Sequence, residues 1–149
     1  MSLLQVKNLV VEFPTRRGVL RALDDISFDI APGEILGVVG ESGAGKSLTG
    51  ASIIGLLEPP GQVSSGEILL EGRRIDNLPP EEMRKVRGRK IGAIFQDPLT
   101  SLNPLYSIGR QLTETIMTHL PVSAAEARQR AIDLLKDTGI PAAEQRIDH

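Results

Sequence analysis

Eight consecutive residues carry the most specific chemistry in the sequence: Gly40-Glu41-Ser42-Gly43-Ala44-Gly45-Lys46-Ser47. They fit the P-loop pattern G-x-x-x-x-G-K-[ST] with no mismatch. Gly40, Gly43 and Gly45 carry no Cβ and can adopt positive φ, so the backbone can wrap closely around phosphate oxygens. Successive N–H groups then point inward as an anion nest, and a helix after the loop adds its positive end. Lys46 supplies a mobile point charge for β- and γ-phosphates, and Ser47 a hydroxyl for Mg²⁺. The candidate binding stretch therefore runs from Gly40 through Ser47 to Leu48, where the helical pattern begins. This chemistry suits a nucleoside triphosphate with magnesium. The loop selects neither the base nor the use made of hydrolysis. The plain alternative is a Gly-rich turn between a strand and a helix.

The flanking elements must place this loop. Before it, Glu34-Ile35-Leu36-Gly37-Val38-Val39 is a short apolar run that reads as a buried strand. After it, Leu48, Ala51, Ile54 and Leu57 mark a helix over 48–57, which Pro59 and Pro60 are expected to end. Strand, glycine loop and helix are the geometry that the motif needs. Upstream, partial alternation predicts a strand from about residue 3 to Phe13, a turn over 14–18 and a partner strand over 19–30 with a break near Asp24-Asp25. Downstream, 66–72 reads as a strand with glycine at each end, and Pro79-Pro80-Glu81-Glu82 opens a short helix to about Val86. Residues 90–95 read as a second buried strand. It runs into Gln96-Asp97-Pro98-Leu99-Thr100-Ser101-Leu102-Asn103-Pro104, a loop by its prolines and small polar residues. Leu99 and Leu102 give that loop an apolar side fit to meet a partner. Ile108, Leu112, Ile116 and Leu120 then recur every fourth residue. Ser123-Ala124-Ala125-Glu126 is a capping box opening a helix with Ala127, Ala131, Leu134 and Leu135 on one face, stopped by Gly139 and Pro141. Residues 142–149 look like the beginning of another element.

Composition narrows the classes. The chain has 149 residues, 40% of them apolar and 24% charged, which is ordinary for a globular protein. A net charge of -2 supplies no global basic field for nucleic acid, and no nucleic-acid partner is expected. Arg84, Lys85, Arg87, Arg89 and Lys90 form a basic run, read as a solvated helix end because cations suit the negative end of the dipole and no aromatics interleave them. With no cysteine there is no disulfide framework and no thiolate metal site, and the two histidines lack metal-ligand spacing. No window holds 18 apolar residues.

The P-loop and the Gln96 loop together resemble the ATP-binding subunit of ABC transporters. The resemblance runs over the whole chain from Leu3-Leu4-Gln5-Val6-Lys7-Asn8-Leu9 onward. Phe95-Gln96-Asp97-Pro98-Leu99-Thr100-Ser101-Leu102-Asn103-Pro104 looks like the segment found in the oligopeptide, dipeptide and nickel importer branch. The resemblance implies an α/β fold: a P-loop NTPase core over 1–97 with an N-terminal antiparallel β layer and an incomplete sheet. A hinge and the first helices of a helical subdomain would follow over 98–149. It implies ATP and Mg²⁺ as ligands. Phe13 matches the position of the family's adenine-stacking aromatic, usually Tyr. Gln96 matches the Q-loop glutamine, which reaches Mg²⁺ or the attacking water, so Lys46 and Gln96 are the catalytic candidates and Ser47 and Gln96 the metal candidates. Implied partners are a second ATP-binding subunit, identical or not, transmembrane permease subunits reached through the Gln96 loop, and indirectly a solute-binding protein. The implied location is peripheral, on the cytoplasmic side of the cell membrane.

The family pattern also calls for a Leu-Ser-Gly-Gly-Gln signature, an apolar strand ending in Asp-Glu, and a switch histidine. The sequence contains none of them. Its paired acids, Asp24-Asp25 and Glu81-Glu82, stand in a loop-like break and at a helix start, and His119 and His149 are not in the switch context. The chain is therefore expected to be the N-terminal part of a longer ATPase that ends before the signature. It would bind nucleotide at best and turn over none, and its incomplete sheet would leave apolar surface exposed. Two alternatives are a nucleotide-binding module without catalysis and another P-loop ATPase or kinase. A kinase would call for an arginine-bearing lid after the core.

Overall fold

The computed structural model describes all residues except Pro98. The chain divides into two compact units, Met1–Arg84 and Lys85–His149. The first holds a four-stranded antiparallel sheet in the order β2-β1-β3-β4: β1 (Leu4–Thr15), β2 (Gly18–Ile30), β3 (Gln62–Leu70) and β4 (Arg73–Arg74). It also holds α1 (Lys46–Ile53) and most of α2 (Pro80–Val86), whose last two residues belong to the second unit.

β1 and β2 form a hairpin closed across Thr15 and Gly18, where Thr15 Oγ1 donates to the Gly18 carbonyl at 2.7 Å. The expected break is a bulge. Leu9 faces Ile26 and Val11 faces Leu23, so Asp24 and Asp25 together stand opposite Val10 alone. Asp25 and Asn8 both take left-handed φ, which short polar residues tolerate. Asn8 Nδ2 donates to Asp25 Oδ1 at 2.7 Å and the Asn8 N–H donates to Ser27 Oγ at 2.8 Å, so the irregular backbone keeps its hydrogen bonds. The bulge interrupts the alternation of β1 and buries Leu9, Val10 and Val11 in succession. With Val6, Leu23, Ile68, Ile75 and Met83 they make the core of this unit.

Three expectations change here. β3 begins at Gln62 and Gly66 stands inside it, not at its end. Gly66 has φ +94, and a Cβ there would lie 2.4 Å from the Asn8 carbonyl oxygen, so the glycine admits the bulged β1 backbone. A tight turn at Glu71-Gly72 adds the two-residue strand β4, too short to show in an apolar pattern. Arg74 of that strand forks onto Asp76, with Nη2 to Oδ2 at 2.9 Å. Burial pushes the Asp76 carboxyl up, but the Arg74 hydrogen bonds and the Ile68 N–H at 2.9 Å outweigh it and hold the group below its ordinary range.

The largest difference concerns the two runs read as buried strands. Residues 34–40 and 92–95 have no strand partner among the described residues, and Ile91 makes only an isolated bridge to Arg87. Ile35, Val39 and Ile94 are fully or almost fully exposed, at 97%, 94% and 102%. Apolar, β-branched composition marks a segment fit for burial in a sheet, but a strand exists only when a neighbour takes its N–H and C=O groups.

The second unit is helical: α3 (Ile108–His119), α4 (Ala124–Asp137) and the single turn α5 (Ala143–Arg146). Ser107 caps α3 by accepting from the Arg110 N–H at 3.2 Å. The capping box of α4 forms as expected, Ser123 Oγ accepting the Glu126 N–H and Glu126 accepting the Ser123 N–H at 2.8 Å. Ala131, Ile132, Ala143 and Ile147 form the core, with Leu112, Ile116 and Leu135 packed against it. The expected inner face of α4 shifts: Ile132 is buried and Leu134 is half exposed. The end of the described chain ties onto α3, because the Ile108 and Gly109 N–H groups donate to the His149 and Ile147 carbonyls at 2.8 and 2.7 Å. Arg128 holds Asp148 through two hydrogen bonds of 2.9 and 3.0 Å. No helix among the described residues is long and apolar enough to cross a membrane.

Candidate phosphate-binding site

The glycine loop folds as its composition dictates. Gly43 and Gly45 have φ +83 and +92, and the Ala44 N–H closes a turn on the Glu41 carbonyl at 3.1 Å. Gly45 is the N-cap of α1 and provides no side chain to satisfy the first turn. The Thr49 N–H and Thr49 Oγ1 both donate to the Gly45 carbonyl, at 2.9 and 2.8 Å. The first-turn N–H groups of Lys46, Ser47 and Leu48 hold no acceptor among the described residues. Unsatisfied first-turn donors with a glycine cap make a site for an anion.

α1 starts two residues earlier than the periodicity predicts and ends sooner. The stop is not the Pro59-Pro60 pair. Gly55, in left-handed conformation, sends its N–H to the Ser52 carbonyl at 3.2 Å while the Leu56 N–H reaches Ala51 at 2.8 Å. These two bonds are a Schellman closure. Inside α1, Ser52 Oγ donates to the Leu48 carbonyl at 2.6 Å, which satisfies the one buried polar residue of the described chain.

Lys46 folds back over the loop. Its Nζ donates to the carbonyls of Gly40 and Glu41, the latter at 2.8 Å. The ammonium is thereby tethered over the loop's first residues, and a Cβ on Gly40 would stand a tight 3.2 Å from the Ala44 Cβ across the loop. Ser47 is exposed, and its hydroxyl is free to turn to a ligand. Ser42 and Gly43 are exposed too, and a Cβ on Gly43 would meet no atom within 4 Å, so the mouth of the loop is open. The loop and the first turn of α1 thus carry unsatisfied N–H donors, an ammonium and an exposed hydroxyl within a few residues of one another, a donor set whose chemistry fits a polyphosphate. Among the described residues, no group of three His, Cys, Asp or Glu could hold a metal by itself. The exposed Ser47 hydroxyl is a hard-oxygen group of the kind that could serve a magnesium ion.

The support beneath the loop went unseen in the sequence. Leu23, only 2% exposed, comes up from β2 so that a Cβ on Gly45 would lie 2.5 Å from its Cδ2. Gly45 therefore answers two demands, a positive φ and contact with a buried leucine. Phe13, half-buried on β1, rests on a second glycine: a Cβ on Gly61 would lie 2.6 Å from its Cε1. Gln96 stands in a bend of the second unit and is exposed. After it, Asp97 Oδ1 accepts the Leu99 N–H at 2.9 Å, the Asp97 carbonyl accepts from Ser101 Oγ at 2.8 Å, and Pro98 lies outside the described residues.

Relatives place this geometry in context. The chain is 46% identical over 147 residues to the oligopeptide transport ATP-binding protein OppD of Bacillus subtilis, covering 98% of this chain and 41% of that one. It is 44% identical to the dipeptide transport ATP-binding protein DppD of Lactococcus lactis and 42% identical to that of Escherichia coli, covering 99% of itself and 42% and 45% of theirs. It thus spans less than half the length of these relatives. A dimeric ATP-binding cassette, MJ0796, solved in a post-hydrolysis state bound to ADP and Pi, superposes with a TM-score of 0.84 at 26% identity, over 98% of this chain and 60% of that one. The fold is that of such cassettes. A family model described as "ABC transporter" matches residues 23–149, from the leucine beneath Gly45 through the whole glycine loop to the last residue, and the chain belongs to that family.

Proposed function

We propose that this chain binds ATP with Mg²⁺ at residues 40–48 and forms part of the ATP-binding subunit of an importer for peptides or a related small solute. The observation that carries the reading is the folded loop itself: unsatisfied N–H groups at the α1 start, with Lys46 Nζ anchored beside them. The relatives named for peptide transport supply the choice of solute class. In the bound state the Lys46 ammonium would exchange its carbonyl tethers for phosphate oxygens, and the free N–H groups of Lys46, Ser47 and Leu48 would donate to the remaining negative charge. ATP supplies the phosphoanhydride whose cleavage drives the cycle. Ser47 offers its hydroxyl to Mg²⁺, and Gln96 its amide to the same ion or to the attacking water. Phe13 stacks on adenine with the part of its ring that Gly61 leaves uncovered.

By role, residues 1–97 are the nucleotide-binding core and 98–149 the hinge and first helices of the helical subdomain. The partners are a second ATP-binding subunit, the permease subunits through the Gln96 loop, and indirectly a solute-binding protein, at the cytoplasmic side of the membrane. Lys46→Ala in the assembled transporter tests the reading. Turnover should fall by about 10²–10³-fold, as for other electrostatic catalytic groups. Retained turnover would refute it.

A second reading concerns the 149 residues taken alone. Because the sequence holds no signature motif, no Asp-Glu strand end and no switch histidine, they bind nucleotide at best and turn over none. Magnesium-dependent hydrolysis by the purified chain, above a Lys46→Ala control, would overturn this.

A further inference from the structure

The described residues between Gln96 and α3 have no regular secondary structure, yet one side chain of α3 holds some of them in place. The Gln111 amide makes three hydrogen bonds to them, each of 2.9 Å: Oε1 accepts the Asn103 N–H, and Nε2 donates to the carbonyls of Asn103 and Tyr106. Asn103 in turn accepts the Leu105 N–H on Oδ1 at 3.0 Å and the Tyr106 N–H on its carbonyl at 3.2 Å. One residue earlier on the helix, the Arg110 guanidinium lies 3.9 Å from the centre of the Tyr106 ring. Gln111 therefore uses its acceptor and its amide N–H donors on two residues, Asn103 and Tyr106, which bracket a four-residue stretch of loop. An exposed stretch that would otherwise sample many conformations is joined to α3 near its N-terminal end. Leu105, which faces outward at 85% exposure, is held by the same network.

We propose that Gln111 is a positioning residue that makes residues 103–106 and α3 move as one body, so that displacement of the Gln96 loop is passed to the helical unit and not absorbed by the loop. This rests on the reading of that loop as the hinge to the permease. The Gln111 amide directs its hydrogen bonds to loop backbone. Its contribution is stiffness: without it, motion at Gln96 dissipates in backbone torsions of 103–106.

Two substitutions in the full transporter separate this from a merely structural role. Gln111→Leu keeps the size and removes every hydrogen bond. Gln111→Glu keeps the acceptor for the Asn103 N–H and loses both donors. Hydrogen exchange of the Asn103, Leu105 and Tyr106 amides should accelerate by about tenfold in Gln111→Leu, as loss of one or two net hydrogen bonds implies. In Gln111→Glu, Leu105 and Tyr106 should accelerate while Asn103 stays protected. Solute carried per ATP hydrolysed should fall severalfold in both, with KM for ATP unchanged. Unchanged exchange in Gln111→Leu would overturn the clamp. Accelerated exchange with unchanged solute per ATP would overturn the coupling role and leave a local brace. So would loss of protection along the whole of α3 in Gln111→Glu, since Glu forms helix well and only the clamp should go. Lys46→Ala run beside them identifies a failure of the ATPase reading itself, because the exchange pattern does not depend on turnover.

Discussion

Gly45→Ala is the substitution whose cost the structure allows to be worked out. Two terms act. The native φ of +92 lies where an L-residue is strained, by about 1–2 kcal/mol. The new methyl would also stand 2.5 Å from Leu23 Cδ2. Leu23 is 2% exposed and opposes Val11 across the β1–β2 ladder, so it cannot swing away into solvent. Overpacking of this kind costs about 1–3 kcal/mol. The expected loss is therefore about 2–5 kcal/mol in urea unfolding, with weakened nucleotide binding because this residue is the N-cap that sets the first-turn N–H groups of α1. A double-mutant cycle isolates the contact. Leu23→Ala alone should destabilise by about 2–5 kcal/mol through the cavity it leaves. Combined with Gly45→Ala it removes the clash but not the φ strain, so the two changes should couple favourably by about 1–3 kcal/mol. A cycle additive within about 0.5 kcal/mol would show that Leu23 does not support the loop and would refute the reasoning.

Three further outcomes follow from the helical unit. Gly109→Ala would place a Cβ 2.8 Å from the Ile147 carbonyl oxygen, which is backbone and cannot rotate aside, so it should lower the melting temperature and speed exchange of the Ile108 and Gly109 amides. Ser123→Ala removes the α4 cap and should cost about 1 kcal/mol in unfolding experiments. On acidification, the carboxyls of Glu126, Glu144 and Asp148 should titrate below their ordinary values in NMR, held down by the Ser123 backbone N–H, by Lys136 and by Arg128 in turn. Their folded values are lowered, so their contribution is whole above the ordinary carboxylate range, about pH 4, and fades as pH falls through the lowered values. Stability that fell between pH 7 and 5 would need another source.

What the sequence revealed and what it hid divide by range. The P-loop and the α4 capping box were legible because each is a bargain among residues a few positions apart, and the Asp24-Asp25 break because it interrupts the alternation of its own strand, although Asn8, 17 residues from Asp25, helps to hold the bulge. Ser123 and Glu126 satisfy one another's N–H groups within a single turn, and no distant residue alters that. Gly55 was missed although its signal was local. Beside a conspicuous Pro-Pro pair the periodicity makes it one more helical position, whereas a left-handed glycine closes a helix before a proline is reached. Leu23 under Gly45, Phe13 on Gly61 and Gln111 on Asn103 were illegible for another reason. Their partners lie 22, 48 and 8 residues away in the numbering, and no periodicity marks which alternate residue of a strand or helix will meet which glycine or loop.

The same distinction explains why 34–39 and 92–95 read as strands and are not. Composition reports how much a segment gains by burial; it does not report who will bury it. Leu69 and Leu70 of β3 are no more apolar than Val38 and Val39, yet they sit in ladders with Gln5 and Leu4 on one side and Arg74 and Arg73 on the other. Val38 and Val39 have no such neighbours and stand 58% and 94% exposed. The glycine loop nevertheless holds its shape directly after them, because its constraints are short-ranged: the Ala44 turn, the two bonds onto the Gly45 carbonyl, and the Lys46 tether to Gly40 and Glu41. A phosphate cradle can thus be specified by its own residues and by Leu23 beneath it, while the strand leading into it depends on neighbours for its form. This predicts that nucleotide affinity will respond to Gly45 and Lys46 far more sharply than to polar substitution at Val39.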